Sequence, residues 1–228
     1  MTNNIDQKIY PVKVIMLYGF FILGGISHIL NHYQLEMNNL TALILFTVSL
    51  ILVVENQRIY FKNLAKRFLL WCGFIIFAGF FVELAGNKTG IIFGNYEYGD
   101  ILQPQLFNVP LLMGCAWLEI QLSSIGFVQH LLFRKKEILF FQLLLFTAIA
   151  MLFFDFLLEP AASMLNYWVW EENNIPAKNY ISWFLVSSSF SLLGLKLGIL
   201  KVKLNPISMH AYIGQIIYFA MVNLKSLL

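Results

Sequence analysis

Seven apolar runs divide this sequence, at about residues 12–30, 40–55, 68–86, 109–131, 138–158, 180–199 and 207–224. Most approach the ~20 residues that cross the hydrocarbon core of a bilayer, and the second is the shortest. Only 12% of residues are charged and 59% are hydrophobic, against about 25% charged in a typical soluble domain. A water-soluble fold of this length could not cover its surface with so few charges. The expected fold class is all-α: a polytopic membrane helical bundle of about seven transmembrane helices, forming a single transmembrane domain over residues 1–228. There is no internal repeat, low-complexity stretch or soluble domain. The net charge of +3 is too small to suggest nucleic acid. Cys72 and Cys115 both fall inside apolar runs, so neither a disulfide framework nor a paired-cysteine metal site is indicated. Residues 1–8 are polar, and no small-residue cleavage site follows the first run, which reads as a retained helix.

The basic residues fix an orientation. Lys8, Lys13, Arg58, Lys62, Lys66, Arg67, Arg134, Lys135, Lys136, Lys196, Lys201 and Lys203 all fall on one side of a seven-span chain. Only Lys88, Lys178 and Lys225 fall on the other. Lys and Arg are retained on the cytoplasmic side, so the N-terminus is expected in the cytoplasm and the C-terminus outside. The two longest connections, after the third and fifth runs, then face outward. The first carries Gly90, Gly94, Tyr96, Tyr98 and Gly99, and the second Tyr167, Trp168 and Trp170. Such aromatic clusters serve either as interfacial anchors or as the lining of a site.

Four carboxylates interrupt the apolar runs: Glu83, Glu119, Asp155 and Glu159. An ionised acid at mid-bilayer costs about 2.5–3.5 kcal/mol on insertion scales, so such residues tend to face the bundle interior and to have a task. All four are expected in the outer to middle part of the membrane, Glu119 at ~12 Å from the outer end of its helix. Asp155 and Glu159, four residues apart, share a helix face, and Pro160 is expected to end that helix. A carboxyl kept protonated in a dry pocket is a general acid, and an ionised one beside it activates water or stabilises a cation. Asp155, the deeper of the pair, is the favoured donor, with Glu159 and Glu83 sharing the remaining roles. His28 and His32 have an i, i+4 metal-ligand spacing, but no third ligand follows. His130 reads as interfacial. His210, Gln215 and Tyr218 make the last helix mildly polar, as interhelical hydrogen bonding requires.

The stretch Glu83-Leu84-Ala85-Gly86-Asn87-Lys88-Thr89-Gly90-Ile91-Ile92-Phe93-Gly94-Asn95-Tyr96-Glu97-Tyr98 resembles the E-x-x-G-x-x-T-G-x-x-F-G-x-Y-x-Y signature of the bacterial and archaeal carotenoid biosynthesis membrane proteins. Val109-Pro110-Leu111 with Trp117, Asp155 to Ala161, Tyr167-Trp168-Val169-Trp170, and Ile175 to Trp183 resemble that family's V-P-L…W, D-x-x-x-[DE]-P-x-A, Y-W-x-W and [VI]-P-x-x-N-[FY]-x-G-W segments. Ser182 stands where the family has glycine, and Glu171-Glu172-Asn173-Asn174 replaces its Tyr-Tyr-Gly. Glu119 lies outside these motifs. The resemblance implies a cofactor-independent carotenoid hydratase, a hydro-lyase that adds water to the terminal double bond of an acyclic ψ-end group. Its catalytic residues would be Asp155, Glu159 and Glu83. Tyr96, Tyr98, Trp117, Glu119, Trp168, Trp170, Asn179 and Trp183 would contact the substrate, and no metal is expected. Its partners would be a carotenoid dissolved in the bilayer and other enzymes of carotenoid synthesis.

Other functions fit parts of the pattern. An end-group cyclase needs the same proton donor. A proton-coupled transporter uses buried acids but often shows related halves. A non-catalytic carotenoid-binding or assembly subunit would be told from an enzyme by carotenoid production in a host with and without the gene. A retinal photoreceptor needs a lysine within the last helix, where only Lys225 stands, at its end.

Overall fold

The computed structural model describes residues 4–32, 34–134 and 138–225; residues 1–3, 33, 135–137 and 226–228 lie outside them, Lys135 and Lys136 of the basic loop among them. The fold is an all-α bundle of seven helices: α1 (Asn4–Ile29), α2 (Gln34–Gln57), α3 (Lys62–Thr89), α4 (Met113–Phe127), α5 (Phe140–Met164), α6 (Ala177–Lys196) and α7 (Ile207–Leu224). Five of them, α1, α2, α3, α5 and α7, are long and apolar enough to cross a membrane. Together they identify an integral membrane protein. Of the other two, α6 is less apolar and α4 is short, at 15 residues. α4 sits at the centre of the bundle, against α2, α3, α5, α6 and α7. It is buried on nearly every side, and a π-helical turn, Val128–Leu132, extends it. A helix that meets protein instead of lipid can carry polar groups if they are paired. Gln121 of α4 accordingly donates to Ser191 Oγ of α6 at 2.7 Å. Small residues let the helices close on one another. A Cβ on Gly114 would come within 2.1 Å of the Ile76 carbonyl oxygen of α3.

The connections gather at two ends. At one end Lys13 donates to Glu55 at 2.8 Å, Asn56 binds Ser208 and receives the Asn205 N–H, and Lys203 caps the carbonyls of Phe133 and Arg134. Arg58 joins Lys13 on Glu55 at this end, at 2.9 Å. At the other end the long connections fold back as strands β1 (Tyr96–Tyr98), β2 (Gln105–Leu106), β3 (Val109–Pro110) and β4 (Trp168–Trp170). β2 and β3 form a hairpin whose two turn residues, Phe107 and Asn108, both have positive φ, the geometry that matches strand twist. β1 pairs antiparallel with β4, matching Tyr96 with Trp170 and Tyr98 with Trp168. Side chains alternate along a strand, so all four rings turn to one face, toward the helices, while Glu97 and Val169 turn away. The aromatic residues of these connections therefore line the interior and are not surface anchors.

Three local expectations change. Pro160 does not end α5, which runs on to Met164. Proline within a membrane helix is tolerated where packing compensates for the lost hydrogen bond. Here Ala161 and Ala162 are fully buried, and their carbonyls accept from Leu165 and Tyr167 at 2.9 Å. His28 and His32 do not share a helix face, because α1 stops at Ile29 and Asn31 takes a left-handed conformation (φ 56°). His28 is buried edge-on against Tyr218, with ring centroids 5.8 Å apart, whereas His32 is exposed. α2 is also longer than its apolar run suggests.

Candidate active site

Three of the four acids meet beneath the β1–β4 ribbon. Glu83, from the last third of α3, accepts three hydrogen bonds: Tyr96 Oη and Tyr98 Oη on Oε2, both at 2.7 Å, and Trp117 Nε1 on Oε1 at 2.8 Å. Glu159, from the end of α5, also accepts three. Trp168 and Trp170 donate their indole N–H to Oε2 at 2.9 and 2.6 Å, and Asn179 Nδ2 reaches Oε1 at 3.1 Å. The same Asn179 nitrogen donates to Asp155 Oδ2 at 2.8 Å. Asp155 Oδ1 receives no donor. The Asp155 and Glu159 carboxyls are thus linked through Asn179, whose single Nδ2 donates to both. Relative exposure is 0% for Asp155, 2% for Glu159, 4% for Glu83 and 5% for Glu119, so none of these groups is solvated in the ordinary way.

The motif spacing has a local cause. Gly90 caps α3 at φ 64°, with its N–H bonded to Gly86 O, a conformation that disfavours a side chain. The turn returns the chain over Glu83, so that Tyr96 and Tyr98, one strand period apart, reach the same carboxylate oxygen. Burial, and next the Glu83 charge, push both phenols above their ordinary range, which keeps them protonated and donating. Ser182 makes good the absent glycine by donating to Ile92 O at 2.5 Å, tying α6 to the turn after α3. In the other departing segment, Glu171 accepts from Asn95 Nδ2 at 2.6 Å.

Glu119 stands apart from the other three. It follows Trp117 by two residues on α4, a rotation of about 200° around a helix. Since Trp117 points to Glu83, Glu119 points away. Its side chain lines two apolar cavities. The outer one, about 100 Å³, opens between α1 and α2 and is bounded by Phe20, Gly24, Thr41, Val48 and Tyr218. The inner one, about 80 Å³, reaches Met113, Trp117, Phe154, Trp168 and Trp183. Thr41, Leu45, Glu119, Tyr167, Gln215 and Phe219 border both, so the two adjoin as the two parts of an apolar passage. A third cavity, about 20 Å³, lies among Glu83, Glu159, Tyr96, Tyr98 and Asn179. It adjoins the inner apolar cavity, with Met113, Trp168 and Trp183 bordering both. Asp155 borders none of these three cavities and sits behind Glu159.

All the residues expected to contact substrate are near these spaces, but six of them act first on the acids. Tyr96, Tyr98, Trp117, Trp168, Trp170 and Asn179 spend polar hydrogens on Glu83, Asp155 or Glu159. Trp183 instead stacks on Trp117, with centroids 4.3 Å apart and planes at 29°. Met113 and Thr41 were not expected in the lining, and Tyr167 was singled out only as part of an aromatic cluster. Gln215 was noted only for the polarity of its helix. A lone threonine or methionine in an apolar run gives no signal of its own.

The family model described as Carotenoid biosynthesis protein matches residues 38–226, from α2 to the end of the bundle. No curated protein and no solved structure shows a significant match to the chain. The match spans most of the sequence and every acid of the site, and the chain belongs to the carotenoid biosynthesis protein family.

Proposed function

We propose that the protein is a carotenoid hydratase, which adds water to the terminal double bond of an acyclic carotenoid end group without a cofactor. The observation that carries this reading is a water-sized cavity bounded by two carboxylates and set against an apolar passage. A cavity of 10–15 Å³ accommodates a water, which needs 2–4 polar partners. A carboxylate has about four acceptor sites, and Glu83 and Glu159 each have three filled. One site on each is left for a water O–H, which directs the water's lone pairs toward the apolar side.

The substrate's apolar end group occupies the inner cavity, beside Trp117, Trp168 and Trp183. Protonation of the alkene gives a tertiary cation. The ring faces stabilise it through their quadrupoles, about 2 kcal/mol or more each when desolvated, and the carboxylate layer adds to this. The held water attacks, and its proton passes to Glu159 or to Glu83. Asp155, Glu159 and Glu83 are thus the catalytic acids and bases of the water side. The bundle acts as one membrane domain with its N-terminus in the cytoplasm, taking a bilayer-dissolved substrate handed on by other enzymes of carotenoid synthesis.

The test is expression in a host that accumulates lycopene or γ-carotene, followed by pigment mass analysis. A gain of one water is the expected result. A new pigment of unchanged mass would identify an end-group cyclase and refute the hydratase reading.

A further inference from the structure

The water side of the site is poor in groups that can start the reaction. Glu83 and Glu159 are each surrounded by three donors, the setting of an ionised carboxylate. Asp155 is shut behind Glu159, outside every cavity described above. Glu119 is the opposite case. It is 5% exposed and lines both parts of the apolar passage. Among the described residues nothing donates a hydrogen bond to it or pairs with its charge. An ionised carboxylate there would be buried without donor or counter-charge, at a cost the neutral acid avoids. The wall of the inner cavity includes Trp117, Trp168 and Trp183. An alkene in that cavity therefore has Glu119 in the surrounding wall and, adjoining at Met113, Trp168 and Trp183, the water-sized cavity.

We propose that Glu119 is the proton donor of the hydration, and so the acid partner of the water-holding carboxylate layer; this rests on the hydratase reading above. The Glu119 O–H bond breaks as the alkene π pair forms a C–H bond at the less substituted carbon. The neighbouring carbon becomes the tertiary cation, a lone pair of water closes the C–O bond, and the water's surplus proton goes to the Asp155–Glu159–Glu83 layer. A proton carried back by water from that layer to Glu119 restores both, and no oxidant or reductant enters. Two carboxyl environments of opposite character, one dry and unpartnered and one rich in donors, are the general arrangement for dividing acid and base roles.

The experiment compares wild type, Glu119→Gln and Glu119→Asp in one lycopene-accumulating host, measuring protein in the membrane, co-purified carotenoid and hydrated product. Glu119→Gln should accumulate and retain pigment, because Glu119 makes no hydrogen bond that the amide would lose. Its hydrated product should fall at least about 100-fold, the lower end for general acid catalysis. Glu119→Asp should restore part of the loss. Hydration by Glu119→Gln within about threefold of wild type would overturn the assignment, and so would loss of bound pigment together with hydration. If Glu119→Gln does not accumulate, Glu119→Met takes its place. An accumulating Met variant without activity supports the proposal, and an active one overturns it. Failure of both to accumulate makes Glu119 a structural residue and likewise overturns it. Absence of hydrated product from wild type is a separate outcome, in which the hydratase reading itself falls.

Discussion

Replacing Glu83 by alanine tests whether the ribbon and the bundle are held together by this one carboxylate. The substitution strands two phenol O–H groups and one indole N–H, which all end on Glu83 at 2.7–2.8 Å. A buried donor left without its partner costs about 1–3 kcal/mol, so three cost roughly 3–9 kcal/mol before any term for the space left behind. Domains have ΔG of unfolding of about 5–15 kcal/mol, so the loss approaches the whole. Glu83→Gln is different in kind. Its amide oxygen still accepts from Trp117, and its NH₂ can donate to the two tyrosine oxygens once their hydroxyls rotate. The expected result is that Glu83→Gln reaches near-normal levels in the membrane, while Glu83→Ala is depleted several-fold and melts earlier in detergent. Immunoblotting of membranes and a thermal size-exclusion assay measure both. A Glu83→Ala protein that accumulates and melts like wild type would show that Tyr96, Tyr98 and Trp117 do not depend on Glu83, and the reasoning from donor satisfaction would fail.

Asp155→Asn should remain in the membrane with pigment bound and lose hydration at least about 100-fold, because an amide cannot give up or take up a proton as the acid does; wild-type-like conversion would remove Asp155 from the catalytic group. Gly24→Phe should narrow the opening between α1 and α2, so that less carotenoid co-purifies while membrane levels stay normal; unchanged pigment content would place the entrance elsewhere. A reporter fused after Lys136 should read as cytoplasmic and one at the C-terminus as external, which follows from the basic-residue asymmetry; a cytoplasmic C-terminus would contradict it.

The helices were legible because hydropathy and charge report them directly. Their ends were less so, as Pro160 illustrates: the residue signals a stop, but the buried alanines after it make continuation favourable. The pairing of β1 with β4 was not foreseen, although its trace is present in Tyr-Glu-Tyr and Trp-Val-Trp, two aromatic–x–aromatic segments with the period of a strand. The partners lie more than sixty residues apart, and nothing local says which segment each will meet. The meeting of Glu83, Asp155 and Glu159 could be anticipated from their common depth. The isolation of Glu119 could not, since depth along a helix says nothing of direction around it. That direction follows only once Trp117 is seen to point at Glu83.

The first helix has a consequence for how the protein could be altered. The family match begins after α1, yet Phe20, Phe21 and Gly24 of α1 form part of the passage wall. None of the four acids lies on it. A helix that shapes the bore but holds no reacting group is a separable part. Exchanging it, or varying those three positions in a library, should retune which chain lengths and bulky end groups are admitted while the chemistry downstream stays intact.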